Sequence, residues 1–318
     1  MGFNVARATT IPVRGIPSGV MTRPAAPEDL YTLMRTPDLL DPVLLVHLDG
    51  WIDAGGTAHL AVERILSQID ATTVATFDTE WLIDHRAHRP TMHIVDGVNV
   101  GIDWPFIELV AGRDRNGNDL LVLHGTEPDH NWRTFVDAVV ELGQRFAIRR
   151  MIGLGSYPAA APHTRPAMLS ITASTPELVD ETLNNASLDV PAGVESALEK
   201  AFEVVSIDSF GLWAQVPHYV SSSPYPPAAL ALIEGLERSA DLSLDSADLA
   251  TESLSTRNRL DTLVQSEESH GQMLAQLEAQ HDEFAEAQAD LPSSDELAAE
   301  VERFLQSQTD DDSGDSTD

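Results

Sequence analysis

Three stretches of the sequence gather side chains able to hold an anion or move a proton. In Asp49-Gly-Trp-Ile-Asp53-Ala-Gly55-Gly56-Thr57 two carboxylates flank a glycine-bearing turn between an apolar run and an amphipathic segment. Amides at a helix N-terminus can hold an anion or carboxylate, which makes Asp49, Asp53, Gly55 and Gly56 candidate ligand-binding residues. The competing role is structural: Asp53 caps the helix while the two glycines let it approach the sheet. The second stretch leaves an apolar run through Gly153-Leu-Gly155-Ser156, crosses a Pro/Ala-rich loop and delivers Pro162-His163-Thr164-Arg165-Pro166. Here His163 is a candidate general acid or base and Arg165 a candidate anion holder, with Gly155, Ser156 and Thr164 as further ligand-binding candidates. The bland alternative is that Thr164 and Arg165 bond loop carbonyls and lock the loop. Ser156 lacks the Gly-x-Ser-x-Gly context of a nucleophile elbow. The third stretch, His124-Gly-Thr-Glu127-Pro-Asp129-His130-Asn131-Trp132, offers Glu127 as a candidate acid or base, against a capping role for Asp129 or Asn131.

His85, His88 and His93 invite a metal reading, but His85 and His88 share a face only on a helix and Pro90 opposes one there. No metal site and no cofactor are therefore expected. With no cysteine there is no thiol nucleophile, cysteine-ligated zinc, iron–sulfur cluster or redox pair. Lys200 is the only lysine and lies in Glu-Lys-Ala-Phe, which excludes a Gly-Lys-Ser/Thr phosphate loop. Fifty-one acidic against 19 basic residues give a net charge of −32. Such a surface repels phosphate backbones and anionic lipid heads, so neither nucleic acid nor a membrane is expected as a partner. No run of about 18 apolar residues occurs, and Arg7, Pro12, Arg14 and Pro17 break up any signal-peptide core. A cytoplasmic location is expected.

The elements that must position these residues follow from hydrophobic patterning. Residues 1–40 read as an irregular lead-in with one short helix at 27–35. From residue 42 apolar runs of strand length alternate with amphipathic segments. Strands are predicted at 42–48, 72–77, 91–95, 106–110, 119–123, 151–155, 168–172 and 212–216. Helices are predicted after Gly56 and at 132–146, 176–184, 193–204 and 226–239. Strands interleaved with helices imply a sheet covered on both faces, an α/β/α sandwich over 41–240.

Residues 234–318 hold 23 of the acidic and 4 of the basic residues. Lacking tryptophan, this part cannot build its own core and reads as an acidic helical extension over 241–307. Leu260, Val264, Leu274, Leu277, His281, Phe284 and Leu291 form a narrow apolar seam, interrupted at Glu267 and His270-Gly271. A further helix is expected from Ser293, with Glu296 reaching back to complete a capping box. Residues 308–318 carry nothing to bury and are expected to be disordered.

Leu45-Val-His-Leu-Asp-Gly-Trp-Ile-Asp-Ala-Gly55, the Pro-His-Thr-Arg-Pro run at 162–166 and the strand after it resemble the proteasome assembly chaperone 2 family, in particular its actinobacterial branch. The resemblance covers about residues 40–240. It implies a three-layer α/β/α sandwich similar to purine nucleoside phosphorylases, self-association as a homotrimer or homodimer, and a non-enzymatic role in protein assembly. Proteasome-docking members commonly end in a hydrophobic residue, a tyrosine and one more residue; here Asp315-Ser-Thr-Asp318 argues against docking by a C-terminal tail, and the 241–307 helices are the place for another protein partner. The alternative is a small-molecule binder or phosphorylase-like enzyme, with Asp49, Asp53, Glu127, His163 and Arg165 converging on a crevice at the strand ends.

Overall fold

The computed structural model describes residues 26–180, 183, 187–266 and 268–289. Ten strands are found among them: β1 Tyr31–Leu33, β2 Val43–Asp49, β3 Thr72–Phe77, β4 Thr91–Val95, β5 Val98–Asp103, β6 Ile107–Arg113, β7 Asp119–Thr126, β8 Arg150–Ala159, β9 Leu169–Ala173 and β10 Asp208–Pro217. Eight of them form one sheet in the order β1-β3-β6-β7-β2-β8-β10-β9. Its centre, β7-β2-β8-β10, is parallel, while β6, β3 and β1 on one side and β9 on the other run antiparallel. The parallel strands are the ones with continuous apolar runs, as burial on both faces demands.

The seven helices described are α1 Thr57–Gln68, α2 Thr79–Leu82, α3 Trp132–Arg145, α4 Val194–Val204, α5 Pro226–Ala240, α6 Ala247–Gln265 and α7 Glu268–Ala289. Successive strand side chains point to opposite faces, and β2 divides accordingly. Val43 and Leu45 enter the core shared with α1 and α5, whereas Leu44, Val46 and Leu48 enter the core shared with α3 and α4. Burying each such side chain contributes ~1.5–3 kcal/mol, so the two cores hold the three layers together. The same alternation puts His47 and Asp49 on the α1 side at the C-terminal end of β2.

The extension lies on its own domain. Leu249 and Leu260 of α6 join the core beneath α5, and Leu277 of α7 is buried too. Arg64 pairs with Glu252 at 2.5 Å, tying α6 to α1. Of the expected interruptions of the seam, Glu267 lies outside the described residues, next to Ser266 at the end of α6, whereas α7 runs unbroken through His270-Gly271.

Three expectations are corrected. Residues 27–35 do not form one helix: a single 3-10 turn at Pro27–Leu30 leads into β1, which pairs with β3. Pro27, Glu28 and Asp29 start a turn well, but Leu30 is the only buried residue in it, and the open sheet edge offers Tyr31–Leu33 the better partner. At 176–184 only the 3-10 turn Pro176–Leu178 is helical among the described residues. The strand at 91–95 stands outside the main sheet, paired with β5 alone. The helix expected from Ser293 and the tail at 308–318 lie outside the described residues.

Candidate functional site

The end of β2 delivers His47 and Asp49 to one face, and the turn that follows returns the chain as α1 with His59 in its first turn. His47 is almost fully buried. Its Nδ1 lies 3.0 Å from the Leu154 carbonyl, which can only accept, so Nδ1 carries a hydrogen. Its Nε2 lies 3.3 Å from Asp49 Oδ1 and 3.8 Å from Asp53 Oδ2. His59 Nδ1 is 3.1 Å from the same Asp49 oxygen, and its Nε2 is 3.5 Å from Glu63 Oε1. Glu195, in the first turn of α4, completes the ring: its Oε1 accepts the Leu48 amide at 3.1 Å and sits 3.8 Å from His47 Nδ1. Among the described residues, His47, Asp49 and His59 are the group whose ligand atoms all lie within 4.8 Å of one another.

Charge in this cluster is set by burial against neighbours. Burial works against a charged His47, but the Asp49 hydrogen bond and the charges of Glu195, Asp53 and Asp49 outweigh it and raise its pKa to about 9. Burial pushes Glu195 up to about 8 despite His47 and the Leu48 amide. For Asp49 burial acts upward, yet the hydrogen bonds and charges of His47 and His59 hold it below the usual carboxylate range. Glu127, raised mainly by burial, accepts the Val194 amide at 2.7 Å, and its own amide donates to the Asp49 carbonyl at 2.8 Å. It thus joins the start of α4 to the end of β2.

Asp53 satisfies the first amides of α1 from across the turn: Oδ1 accepts the Ala58 amide at 2.8 Å and the Ser156 hydroxyl at 2.7 Å, and Oδ2 accepts the His59 amide at 3.0 Å. Ser156 is buried and also donates to the Ala54 carbonyl. The anion-holding amides anticipated at Gly55 and Gly56 are engaged inside the chain, donating to the Ser221 and Asp53 carbonyls. Gly55 sits at φ 65°, and a Cβ there would lie 2.9 Å from the Ser223 carbonyl oxygen, so only glycine fits this crossing. At Gly155 a Cβ would overlap the Trp213 ring, so this glycine serves packing between β8 and β10.

The Pro-His-Thr-Arg-Pro loop does something else. The His163 amide donates to Tyr219 Oη at 2.9 Å, the tyrosine hydroxyl lies 2.7 Å from Nδ1, and Nε2 faces Asp261 of α6 at 3.2 Å. Thr164 donates to Glu278 of α7 at 2.5 Å. Arg165 grips Asp282 of α7 with two hydrogen bonds of 2.8 and 2.6 Å and reaches Glu278 at 3.4 Å. The structure therefore brings Asp49, Asp53 and Ser156 together near Glu127, but gives His163, Thr164 and Arg165 to the helical extension. The single crevice drawn from the sequence is not what forms, because acidic α6 and α7 supply nearer partners for that loop's donors. His85, His88 and His93 also part company, facing Glu80, Asp129 and Asp103 respectively.

His47, His59 and Glu195 were missed at the sequence level. A signal for the first two existed: His47-x-Asp49 places both on one face of a strand, and His59 follows at the third position of the next helix. Glu195 had none, since only the crossing of α4 over the end of β2 brings it near. A depression of about 720 Å3 lies at the opposite end of β7, lined by Arg35, Gln68, Arg113 and Asp119 among others, and takes no part in the cluster.

Comparison with known proteins follows the same fold. A Mycobacterium tuberculosis protein of unknown function is 33% identical, with a TM-score of 0.78 over 86% of this chain and 95% of that one. A PAC2 family protein from Streptomyces avermitilis is 30% identical, with a TM-score of 0.67 over 74% of this chain and 99% of that one. A proteasome-assembly chaperone homologue from Mycobacterium tuberculosis is 27% identical, with a TM-score of 0.68 over 73% of this chain and 99% of that one. No curated protein matches. Among the described residues no helix is long and apolar enough to cross a membrane. The PAC2 family model matches residues 47–264, from the buried histidine of β2 to the last turn of α6, and the chain belongs to that family.

Proposed function

We propose that the protein is a non-enzymatic, assembly-chaperone-like scaffold that self-associates through the β4–β5 hairpin. The observation that carries this is the apolar surface of that hairpin: Met92, Ile94, Val95, Val98, Val100 and Ile102 are each 45–61% exposed. Exposed apolar patches of this kind mark contact surfaces. Asp96 and Gly97, at φ 50° and 81°, supply the tight turn that makes the hairpin project as a two-stranded unit.

A two-stranded hairpin with both edges open gains little stability alone, and needs a further strand or a covered face. In a chain of net charge −32, copies repel one another over most of their surface. The hairpin is the exception: its His93 Nε2 lies 2.6 Å from Asp103 Oδ2, and six of its other side chains are exposed and apolar. A second copy presents the same self-complementary patch, which suits a closed symmetric oligomer. The family membership and the similarity to a proteasome-assembly chaperone homologue support a role in protein assembly. The small-molecule reading loses its anion holder, because Arg165 is engaged by Asp282 and Glu278.

Light scattering on the full chain tests the proposal. The expected mass is two or three times 34.5 kDa, falling to one chain in the Ile94→Glu/Ile102→Glu variant with an unchanged circular dichroism spectrum. A monomeric wild-type protein, or a variant that keeps the oligomer, overturns it.

A further inference from the structure

We infer that His47, Asp49 and His59 form a binding site for a divalent first-row transition metal ion of the zinc class. Each histidine turns the nitrogen that faces away from Asp49 toward an acceptor. His47 Nδ1 donates to the Leu154 carbonyl at 3.0 Å, and His59 Nε2 faces Glu63 Oε1 at 3.5 Å. Metal-bound histidines are oriented in this way, by a carbonyl or carboxylate on the distal nitrogen that fixes the tautomer. The nitrogens left over, His47 Nε2 and His59 Nδ1, converge on one carboxylate oxygen, Asp49 Oδ1, at 3.3 and 3.1 Å. Ligand atoms bound at ~2.0–2.1 Å stand roughly 2.8–3.4 Å apart in octahedral or tetrahedral geometry, so these two separations match edges of a coordination shell.

With the ion bound, the lone pairs of both nitrogens face it in place of the hydrogens that they offer to Asp49 without it. Two imidazoles and one carboxylate are the donor set of borderline metals such as Zn2+; Mg2+ and Ca2+ prefer oxygen. Asp53 Oδ2, 3.8 Å from His47 Nε2, places a second carboxyl beside the ion, and Glu195 Oε1, 3.8 Å from His47 Nδ1, stands behind the ligating ring. His47 is buried, whereas Asp49 and His59 are about half exposed, so the site opens on one side and leaves coordination positions for water or a ligand oxygen. It lies at the carboxyl end of β2, level with the end of parallel β7, the edge where α/β sheets place ligands. The cluster is independent of the hairpin and of any oligomer.

Calorimetric titration of the full chain, freed of metal by a chelator, with ZnCl2 is the test. One equivalent should bind with a dissociation constant below about 10 µM, and a large excess of MgCl2 should not displace it. His59→Ala and Asp49→Asn should each weaken binding at least ~10-fold, and Glu63→Gln by a smaller factor, since outer partners also set affinity. Imidazole nitrogen NMR of the wild-type chain reads the same contact without substitution: His47 Nε2 and His59 Nδ1 should shift on adding zinc. Absence of stoichiometric binding, affinity unchanged in either ligand variant, or resonances of other histidines moving instead, would assign the zinc to scattered surface carboxylates and overturn the site.

Discussion

The strand-end cluster and the Pro-His-Thr-Arg-Pro loop are made of the same residue types, yet the fold uses them in opposite ways. Around the loop every donor meets a partner from the chain's own extension: His163 reaches Tyr219 and Asp261, Thr164 reaches Glu278, and Arg165 reaches Asp282 and Glu278. These contacts hold α6 and α7 against the domain. In the cluster, Asp53 and Ser156 are absorbed into the start of α1, but Asp49 and His59 are half exposed and meet each other and His47. Polar residues that a fold does not need for its own closure are the better place to look for a ligand.

The contrast can be broken by measuring stability on each side. His163→Ala should cost the most, about 3 kcal/mol in urea unfolding, because the ring is fully enclosed and its loss leaves a cavity and removes the contacts to Tyr219 Oη and Asp261. A loss near zero would remove the loop's structural role.

Next in size is a pH effect at Glu199 of α4, whose carboxyl is raised to about 7 chiefly by burial, against the hydrogen bond from Thr172. A carboxyl raised on folding stabilises the protein fully below its unfolded value near 4.5 and loses that contribution as pH rises through 7. Glu199→Gln should therefore flatten the fall in stability between pH 4.5 and 7, by at most about 3 kcal/mol. An unchanged pH profile would mean that the carboxyl titrates normally.

Arg165→Ala should act locally. Hydrogen exchange in α7 should quicken ~10-fold while the central strands keep their protection, because the two-pronged grip on Asp282 is lost and α7 has few other buried contacts. Exchange rising equally in β2 and β8 would show that the latch and the sheet open together. The smallest effect is expected for metal-free His59→Ala, within about 0.5 kcal/mol of wild type by thermal unfolding. A larger loss would place His59 among the structural residues and erase the difference between the two regions.

Much of the central architecture is legible in the amino-acid order. Val43–Val46, Leu120–Leu123 and Met151–Leu154 are unbroken apolar runs because each is buried on both faces, and α3 shows its stripe through Phe135, Val139 and Leu142. The margins are less legible. β1 is three residues long and exists because β3 has a free edge; β5 pairs only with β4, although Asp96-Gly97 between two β-branched runs is a hairpin signal that the periodicity reading passed over. At the candidate site Asp49, Asp53 and Ser156 were selected from local context and do meet. His163 and Arg165 were selected on equal grounds and do not join them, because their partners lie about a hundred residues further along, in a segment whose docking no local pattern reveals.

The sequence by itself determined the alternation of strands and helices, the helical character of 247–265 and 268–289 and the exclusion of thiol and phosphate-loop chemistry, since these depend on composition and on periods of two and 3.6 residues. Tertiary structure alone decided which face of which strand meets which helix. It took the convergence of β2, α1 and α4 to set His47, Asp49, His59 and Glu195 together, and the folding back of α6 and α7 to turn a loop of reactive residue types into a latch. Both results rest on contacts between residues far apart in the chain, whose distances are set by the packing of the layers and by nothing in their local neighbourhoods.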